Sequence, residues 1–570
     1  MAFVLRRDTT PTLAEITAVP QIVVIDETGP VISIGTAPGL CCVIGEFVKG
    51  PFVPTEVTDG GEQAALFGGT VYKYFSQSAA GVQDGSADVT STAIGYAPWN
   101  GNGNLSLYKR TFRRLAILRV DHEAVTADAG TTKATLSVTV TVATVDQDGS
   151  SNTAKDILIP AGARFGSAAT FAGSTRVFAA SGDFTIPKGT ALTTNAVTVQ
   201  VPCFPIRVVE PVVATAIAAI VFVLDPTLSN VAATTTITAV TNSTVLWPPG
   251  AGTTLAARLE SQYVAAVDKT IPGDGDVTPN IVVLWSARRT SAIRVALVSN
   301  AVACSEMARG RMAVVAADPA TAATVAAAST AKTAAIGLAA ADGYAQPSGG
   351  ERAIIAFPHR KIVVTEFGSV NVTTDAASAM ASTLSNIPEE HNPGEANPYI
   401  QDITELEDAF KVSPLSKGDQ ANLIRAGVCA LYKDRSTGWQ WMQGVTAANS
   451  ASYPTRTPIK RRRMADFIQD SLAEQAAPFL KSPATQDRID ALVGENVAFL
   501  ETLLSTDQPS LQRIQAYKVD PDGGNTAALT SVGIRVILVY VRLLATNDYI
   551  VYRTQIGETV TIPVTVDAAA

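Results

Sequence analysis

The sequence predicts a multidomain α/β (α+β) chain: mixed sheets covered by helices, with an all-β inserted domain and extended N- and C-terminal arms. Three observations carry this. Short apolar runs alternate with helical periods over residues 31–120 and again over 248–400. A Thr-, Ala- and Val-rich block with period-two alternation interrupts them at 121–247. Strand-like segments without a local partner stand near both ends. The 570 residues amount to about three or four folding units of roughly 100–200 residues each. A hydrophobic fraction of 47% suffices for real cores and excludes a disordered chain.

Residues 1–30 read as an arm, punctuated by Pro11, Pro20 and Pro30, whose one strand is Gln21–Asp26. Such a strand, carrying Ile22, Val23, Val24 and Ile25, has to pair with a distant segment or another chain. The first part of the α/β domain follows at 31–120. Leu40–Gly45 is a short apolar strand, and Glu62–Gly68 is a helix stopped by Gly68-Gly69. Leu105–Tyr108 and Leu115–Val120 are strands. In the insertion, Thr135–Val145 alternates cleanly, and Ile159-Pro160-Ala161-Gly162 is echoed by Ile186-Pro187-Lys188-Gly189. The first of these is similar to the β-element of baseplate J-type proteins.

The α/β pattern resumes at 248. Leu255–Ala266 and Thr290–Met307 have helical period, Asn280–Trp285 and Arg311–Ala316 read as strands, and Asp318–Ala341 is an Ala-rich helix. A last domain is expected at 401–556. Ser416 and Asp419 open one helix, and Met464, Ile468, Leu472 and Ala476 mark a second. A third, starting at Ser482-Pro483, carries Ile489, Leu492, Val493, Leu500 and Leu504. Val532–Leu544 and Tyr549–Gln555 are strands. Residues 557–570 form the second arm, where Val560, Ile562, Val564 and Val566 alternate with polar residues and Pro563 restricts the strand to a sheet edge.

Composition excludes several function classes. The net charge of −8 argues against a nucleic-acid coat. The apolar run Val212–Leu224 is shorter than the roughly 20 residues a membrane span needs, so no membrane insertion is expected. Residues 1–11 contain Arg6, Arg7 and Asp8 but no apolar core of a signal peptide, so a soluble protein made in a cytoplasm is expected. Five cysteines, odd in number and without a CxxC pair, read as buried reduced thiols.

No active site emerges. His122, His359 and His391 lie at no metal-ligand spacing, and neither a GxSxG elbow nor a phosphate loop occurs. Gly101-Asn102-Gly103 reads as a turn. The acid pairs Glu389-Glu390 and Glu405–Asp408 read as solvated faces, and Trp439 and Trp441 as core residues on one side of a strand. Neither a catalytic residue, a cofactor nor a metal is expected. The one dense basic run, Arg461, Arg462 and Arg463 after Lys460, admits two readings. It is a solvated helix start, or a set of arginines that pairs with carboxylates of an acidic partner.

Two elements carry a family resemblance. Thr55–Gly69, ending Leu66-Phe67-Gly68-Gly69, resembles the early LFGG motif of contractile tail sheath proteins. Arg461–Glu474, the following Ala-Pro-Phe-Leu-Lys and Thr485–Leu500 look like the long helical pair of their C-terminal domain, closest to sheaths of myovirus-like phages. The resemblance implies a non-enzymatic structural subunit, stacked as hexameric rings around a tail tube and shortening to drive the tube through the host envelope. It also implies arms that add strands to a neighbour's sheet, through Ile22–Ile25 and Val560–Val566, and a C-terminal domain that faces the tube. The insertion is then expected to point outward. Arg461, Arg462 and Arg463 become candidate contacts to the tube or a neighbour. The partners implied are the chain itself, the tail tube protein, the baseplate and the tail terminator, in a virion tail assembled in the bacterial host cytoplasm. Related particles, pyocins and contractile injection systems, share this physics. A baseplate or fibre protein and an α/β hydrolase with a β accessory domain are the alternatives.

Overall fold

The computed structural model describes residues 3–7, 21–25, 39–45, 47, 49–67, 112–121, 123, 135–142, 156–159, 161, 163–166, 176–186, 197–208, 221–224, 235–240, 255–271, 277–285, 291–307, 309–316, 350–358, 360–364, 370–374, 376–395, 403–406, 417–434, 438–448, 458–505 and 512–544. In chain order, β1 (Phe3–Arg7) and β2 (Gln21–Ile25) precede β3 (Leu40–Gly45), β4 (Thr55–Val57), α1 (Gly60–Phe67) and β5 (Arg114–Arg119). Eight strands come next: β6 (Thr135–Val142), β7 (Ile157–Ile159), β8 (Arg164–Gly166), β9 (Arg176–Ala180), β10 (Phe184–Ile186), β11 (Val197–Val208), β12 (Val221–Leu224) and β13 (Thr235–Val240). Then come α2 (Leu255–Asp268), β14 (Ile281–Trp285), α3 (Ser291–Glu306), β15 (Met312–Ala316), β16 (Ala353–Phe357), β17 (Arg360–Val364), β18 (Val370–Thr374), α4 (Ala376–Asn386) and β19 (Ile403–Leu406). The chain continues through α5 (Lys417–Arg425), β20 (Val428–Asp434), β21 (Gly438–Trp441), α6 (Ile459–Ala476), α7 (Gln486–Leu504), β22 (Ile514–Asp520), α8 (Ala527–Ser531) and β23 (Leu538–Leu543).

The centre is an eight-stranded mixed sheet in the order β21-β20-β16-β15-β14-β3-β5-β4. Its six inner strands run parallel, and antiparallel β21 and β4 close the two edges. The inner strands are apolar at nearly every position because both faces are covered, as parallel strands require. The strand period of two sorts them. Cys41, Val43, Ile117, Val283, Val314, Ile354 and Cys429 pack with α4 and Trp441 on one face. Cys42, Ile44, Leu118, Val282, Val315 and Ile355 pack with Tyr263 of α2 and Ile293, Leu297 and Val298 of α3 on the other.

α4 is buried almost throughout, since its Ala and Ser side chains let it lie close on the sheet. Gly39, at a φ of +82°, permits that approach: a Cβ there would stand 2.6 Å from the Ser385 carbonyl oxygen. All five cysteines are buried and none forms a disulfide, and burial pushes the Cys42 and Cys429 thiols up to about 12.

Among the described residues of 135–240 every named element is a strand, and six of them, in the order β11-β6-β13-β12-β8-β9, close a barrel. β7 and β10 form a separate antiparallel pair. An ion pair between Lys49 Nζ and Asp183 Oδ2, at 3.0 Å, links the end of β3's loop to the turn before β10.

Three expectations are corrected. Gln21–Asp26 is not the one strand of the arm, since Phe3–Arg7 forms β1 and pairs with β2 in parallel. The domain start expected at 401 cuts into the central sheet, because β20 pairs with β16. β23 pairs with Ile514–Asp520, a strand the sequence reading passed over. Leu105–Tyr108, Asp318–Ala341, Tyr549–Gln555, the Gly101 turn, His122, His359 and the whole C-terminal strand with Val560, Ile562, Val564 and Val566 lie outside the described residues. No helix among the described residues is long and apolar enough to cross a membrane.

Candidate functional site: a buried charged junction beneath the terminal sheet

α6, α7, β22 and β23 share a small core of Met464, Ile468, Leu500, Leu503, Ile514, Val539 and Val541. Strand alternation makes this sheet one-sided: Val539 and Val541 of β23 face the helices, while Tyr540 stands 40% exposed on the outside. Among the described residues β22 and β23 form a two-stranded sheet, and both outer edges lack a paired strand. An edge of this kind presents unpaired backbone donors and acceptors at strand spacing, ready to receive another strand.

Buried charges link this unit to the central sheet. The basic run opens α6, where a helix of 3.6 residues per turn sends successive arginines in different directions. Arg462 and Arg463 turn inward and are buried, and Arg461 is half-buried. Arg462 Nη2 donates to Asp466 Oδ1 at 2.8 Å and to Gln469 Oε1 at 2.9 Å, with Glu351 Oε2 3.6 Å from its Nη1. Arg352, entering β16, donates to the other oxygen of Asp466. Asp470 Oδ2 accepts the backbone N–H of Gly310 at 2.7 Å. A Cβ on Gly310 would meet the Asp466 Cβ at 2.4 Å, so glycine alone permits this contact between α6 and the start of β15.

Arg463 closes the C-terminal end of α4, where helix carbonyls lack partners and the dipole favours a cation. Its Nη2 donates to the Leu384 carbonyl at 2.7 Å and to Glu389 Oε1 at 3.2 Å. Burial pulls the Arg463 guanidinium below its ordinary value, and the carboxylates of Glu389 and Glu390 oppose that shift. Arg513, leading into β22, donates from Nη2 to Glu389 Oε2 and from Nε to Glu390 Oε2, each at 2.8 Å. Its guanidinium also lies 4.4 Å from the Phe467 ring centroid. Side chains from the turn before β16, the loop after α4 and the residue before β22 therefore meet those of α6 in a buried ionic cluster.

The structure thus moves two expected site residues. Arg462 and Arg463 pair with carboxylates, as the partner-contact reading supposes, but the carboxylates belong to their own chain. Glu389 is buried rather than solvated, for the same reason. Arg461 retains an accessible part. Trp441 is core, its Nε1 donating to Thr383 Oγ1 at 3.1 Å. His391 is about half exposed and pairs with Glu395 at 2.6 Å. Arg311, which the sequence reading did not single out, is fully buried and ties α2 to α3 through Thr270 and Asn300. No group of three or more His, Cys, Asp or Glu that could hold a metal ion occurs among the described residues.

No protein-family model and no curated protein matches the chain. Solved structures do. The helical sheath of the anti-feeding prophage in its contracted state is similar over 95% of this chain and 99% of that one, with 11% identity and a TM-score of 0.45. A sheath tail protein of Desulfitobacterium hafniense is similar over 90% of this chain and all of its own, with 13% identity and a TM-score of 0.42. The sheath complex of the extracellular contractile injection system PVC, also contracted, matches 52% of this chain and 75% of that one, with 15% identity and a TM-score of 0.39. Over nine-tenths or more of its length, then, the chain is similar to sheath proteins, at identities of 11–13%.

Proposed function

We propose that the chain is a structural subunit of a contractile tail sheath, stacked as hexameric rings around a tail tube. The observation that carries this reading is the β22–β23 sheet, seated on α6 and α7, whose outer edges pair with no strand among the described residues. Arms from neighbouring subunits, Ile22–Ile25 at one end and Val560–Val566 at the other, would add to those edges. Main-chain hydrogen bonds supply cohesion, and the alternating side chains fix register. A joint of this type can hinge while its pairing survives, so stacked rings can twist and shorten together and push the tube outward. The buried ionic cluster supports the reading, because a platform that transmits force has to be rigidly joined to its body.

In this reading the helical unit of α6 and α7 faces the tube, and the barrel strands of 135–240 point away from it. Arg461 is the one arginine of the run with surface to offer the tube or a neighbour. Baseplate and tail terminator cap the stack, the particle is a phage virion tail or a related injection particle, and assembly takes place in the host cytoplasm.

The test is expression of the chain alone, with negative-stain electron microscopy and a pelleting assay. Hollow striated tubes are expected, and they should vanish when residues 1–26 or 558–570 are removed. Tubes that persist without either arm would refute strand addition. A monodisperse chain that stays unassembled even with a tail tube as template would favour a baseplate or fibre role.

A further inference from the structure

The N-terminal strands lie in an unexpected place. β1 and β2 pair in parallel, with Cα partners running from Phe3 and Gln21 to Arg7 and Ile25. A two-stranded sheet is marginal in water by itself, and parallel pairing is the weaker kind and normally needs cover on its faces. Here the cover comes from the chain's own body, since β1 lies against α3 and β2 against α6.

α6 shows the consequence of being enclosed. Arg462, Arg463, Met464, Ala465 and Asp466 are five successive buried residues, which is more than one full helical turn. Met464 and Ala465 pack with α7 and the terminal sheet, and Arg462 and Asp466 face the ionic cluster. β2 runs beside this same helix. The segment through which the proposed function joins subunits is thus already paired, and it is seated on the subunit that carries it.

We propose that this ribbon is an autoinhibitory latch: in the free subunit β1 and the surface of α3 and α6 hold β2 back, and assembly begins when β2 leaves β1 for a neighbour's open edge. This rests on the reading of Ile22–Ile25 as a linking strand. The exchange trades one set of backbone pairs for another of similar number, as in domain swapping, so the two states differ little in energy and the latch acts on rate. A latch closed nine-tenths of the time reduces the assembly-competent fraction about tenfold. Its use is to slow the polymerisation of subunits away from a template.

The experiment compares three chains in a light-scattering time course: the full chain, one lacking residues 1–18, which keeps β2 but not β1, and one lacking 1–26. The latch predicts a lag about tenfold shorter for the chain lacking 1–18 and no assembly for the chain lacking 1–26. An unchanged lag without 1–18, with assembly still lost without 1–26, overturns the latch and leaves the linking role standing. Normal assembly without 1–26 overturns both. A second measurement uses the register directly. Val4→Cys with Ile22→Cys should cross-link within one chain under mild oxidation, since the five native cysteines are buried. The oxidised chain should stay unassembled until reduced. Failure to cross-link within the chain, or assembly in the oxidised state, refutes the latch.

Discussion

Asp466 receives guanidinium groups from two elements, Arg352 at the entrance to β16 and Arg462 one turn back on α6, while Gly310 leaves no room for a side chain beside its Cβ. Replacing it by alanine leaves two buried arginines with only the longer approaches of Glu351, and breaking a buried pair typically costs about 3–5 kcal/mol. Asp466→Ala is therefore expected to lower the midpoint of chemical denaturation markedly. Gly310→Ala should do the same by driving a methyl group into Asp466. A double variant less destabilised than the sum of the two would show that both act on one contact. If both single variants left the midpoint unchanged, the cluster would not be what joins α6 to the sheet. At this scale the sequence was half legible. The arginines announced a need for carboxylates, but whether those carboxylates were on the same chain depended on residues such as Glu389 and Glu351, more than 70 positions away.

Elements were easier to read than their ends. α1 was expected at Glu62–Gly68 and spans Gly60–Phe67, because its start is set by Asp59, whose Oδ1 accepts the Glu62 N–H at 2.8 Å. Glu62 answers through Oε2, which accepts from the Thr58 N–H at 2.7 Å and the Thr58 hydroxyl at 2.6 Å, an exchange of the capping-box kind. Those hydrogen bonds hold the Glu62 carboxyl below its ordinary value. A depressed carboxyl contributes stability that is present above the unfolded value, near 4.3, and is lost as pH falls through the folded value. Asp59→Ala should cost about 1 kcal/mol locally and raise hydrogen exchange of the α1 amides about fivefold. Acidification below the ordinary carboxylate range should loosen the same amides in the parent chain. Exchange that ignores both changes would show that packing of Phe67, not the cap, sets the helix start. α7 likewise begins at Gln486 after Thr485, three residues beyond the expected Pro483. β22 escaped notice since Gln515, Lys518 and Asp520 dilute its pattern; most of the strand is exposed or only half-buried.

For the whole molecule, the chain leaves the central sheet after β5 and returns through α2, and the strands between close on themselves as a barrel. A barrel satisfies its own edges, so the central sheet does not depend on it. Deleting residues 124–242 is expected to leave the central sheet folded and assembly intact, read by circular dichroism and by pelleting. Loss of assembly would show that the barrel lies at a subunit interface and would overturn its outward placement. Lys49→Ala should leave assembly unchanged, because an exposed pair such as Lys49–Asp183 contributes roughly 0–1 kcal/mol.

Periodicity and composition alone determined the alternation of strands and helices, the strands described within 135–240, the burial of Trp441 and the inert thiols. Each of these depends on neighbours close in sequence or on one residue's own solubility in an apolar core. Only the tertiary structure decided that β20 and β21 complete the central sheet, that β1 occupies an edge of β2, and that Arg462 and Arg463 face inward. These are pairings between distant segments, and a strand edge or a guanidinium group carries no mark of which partner will satisfy it.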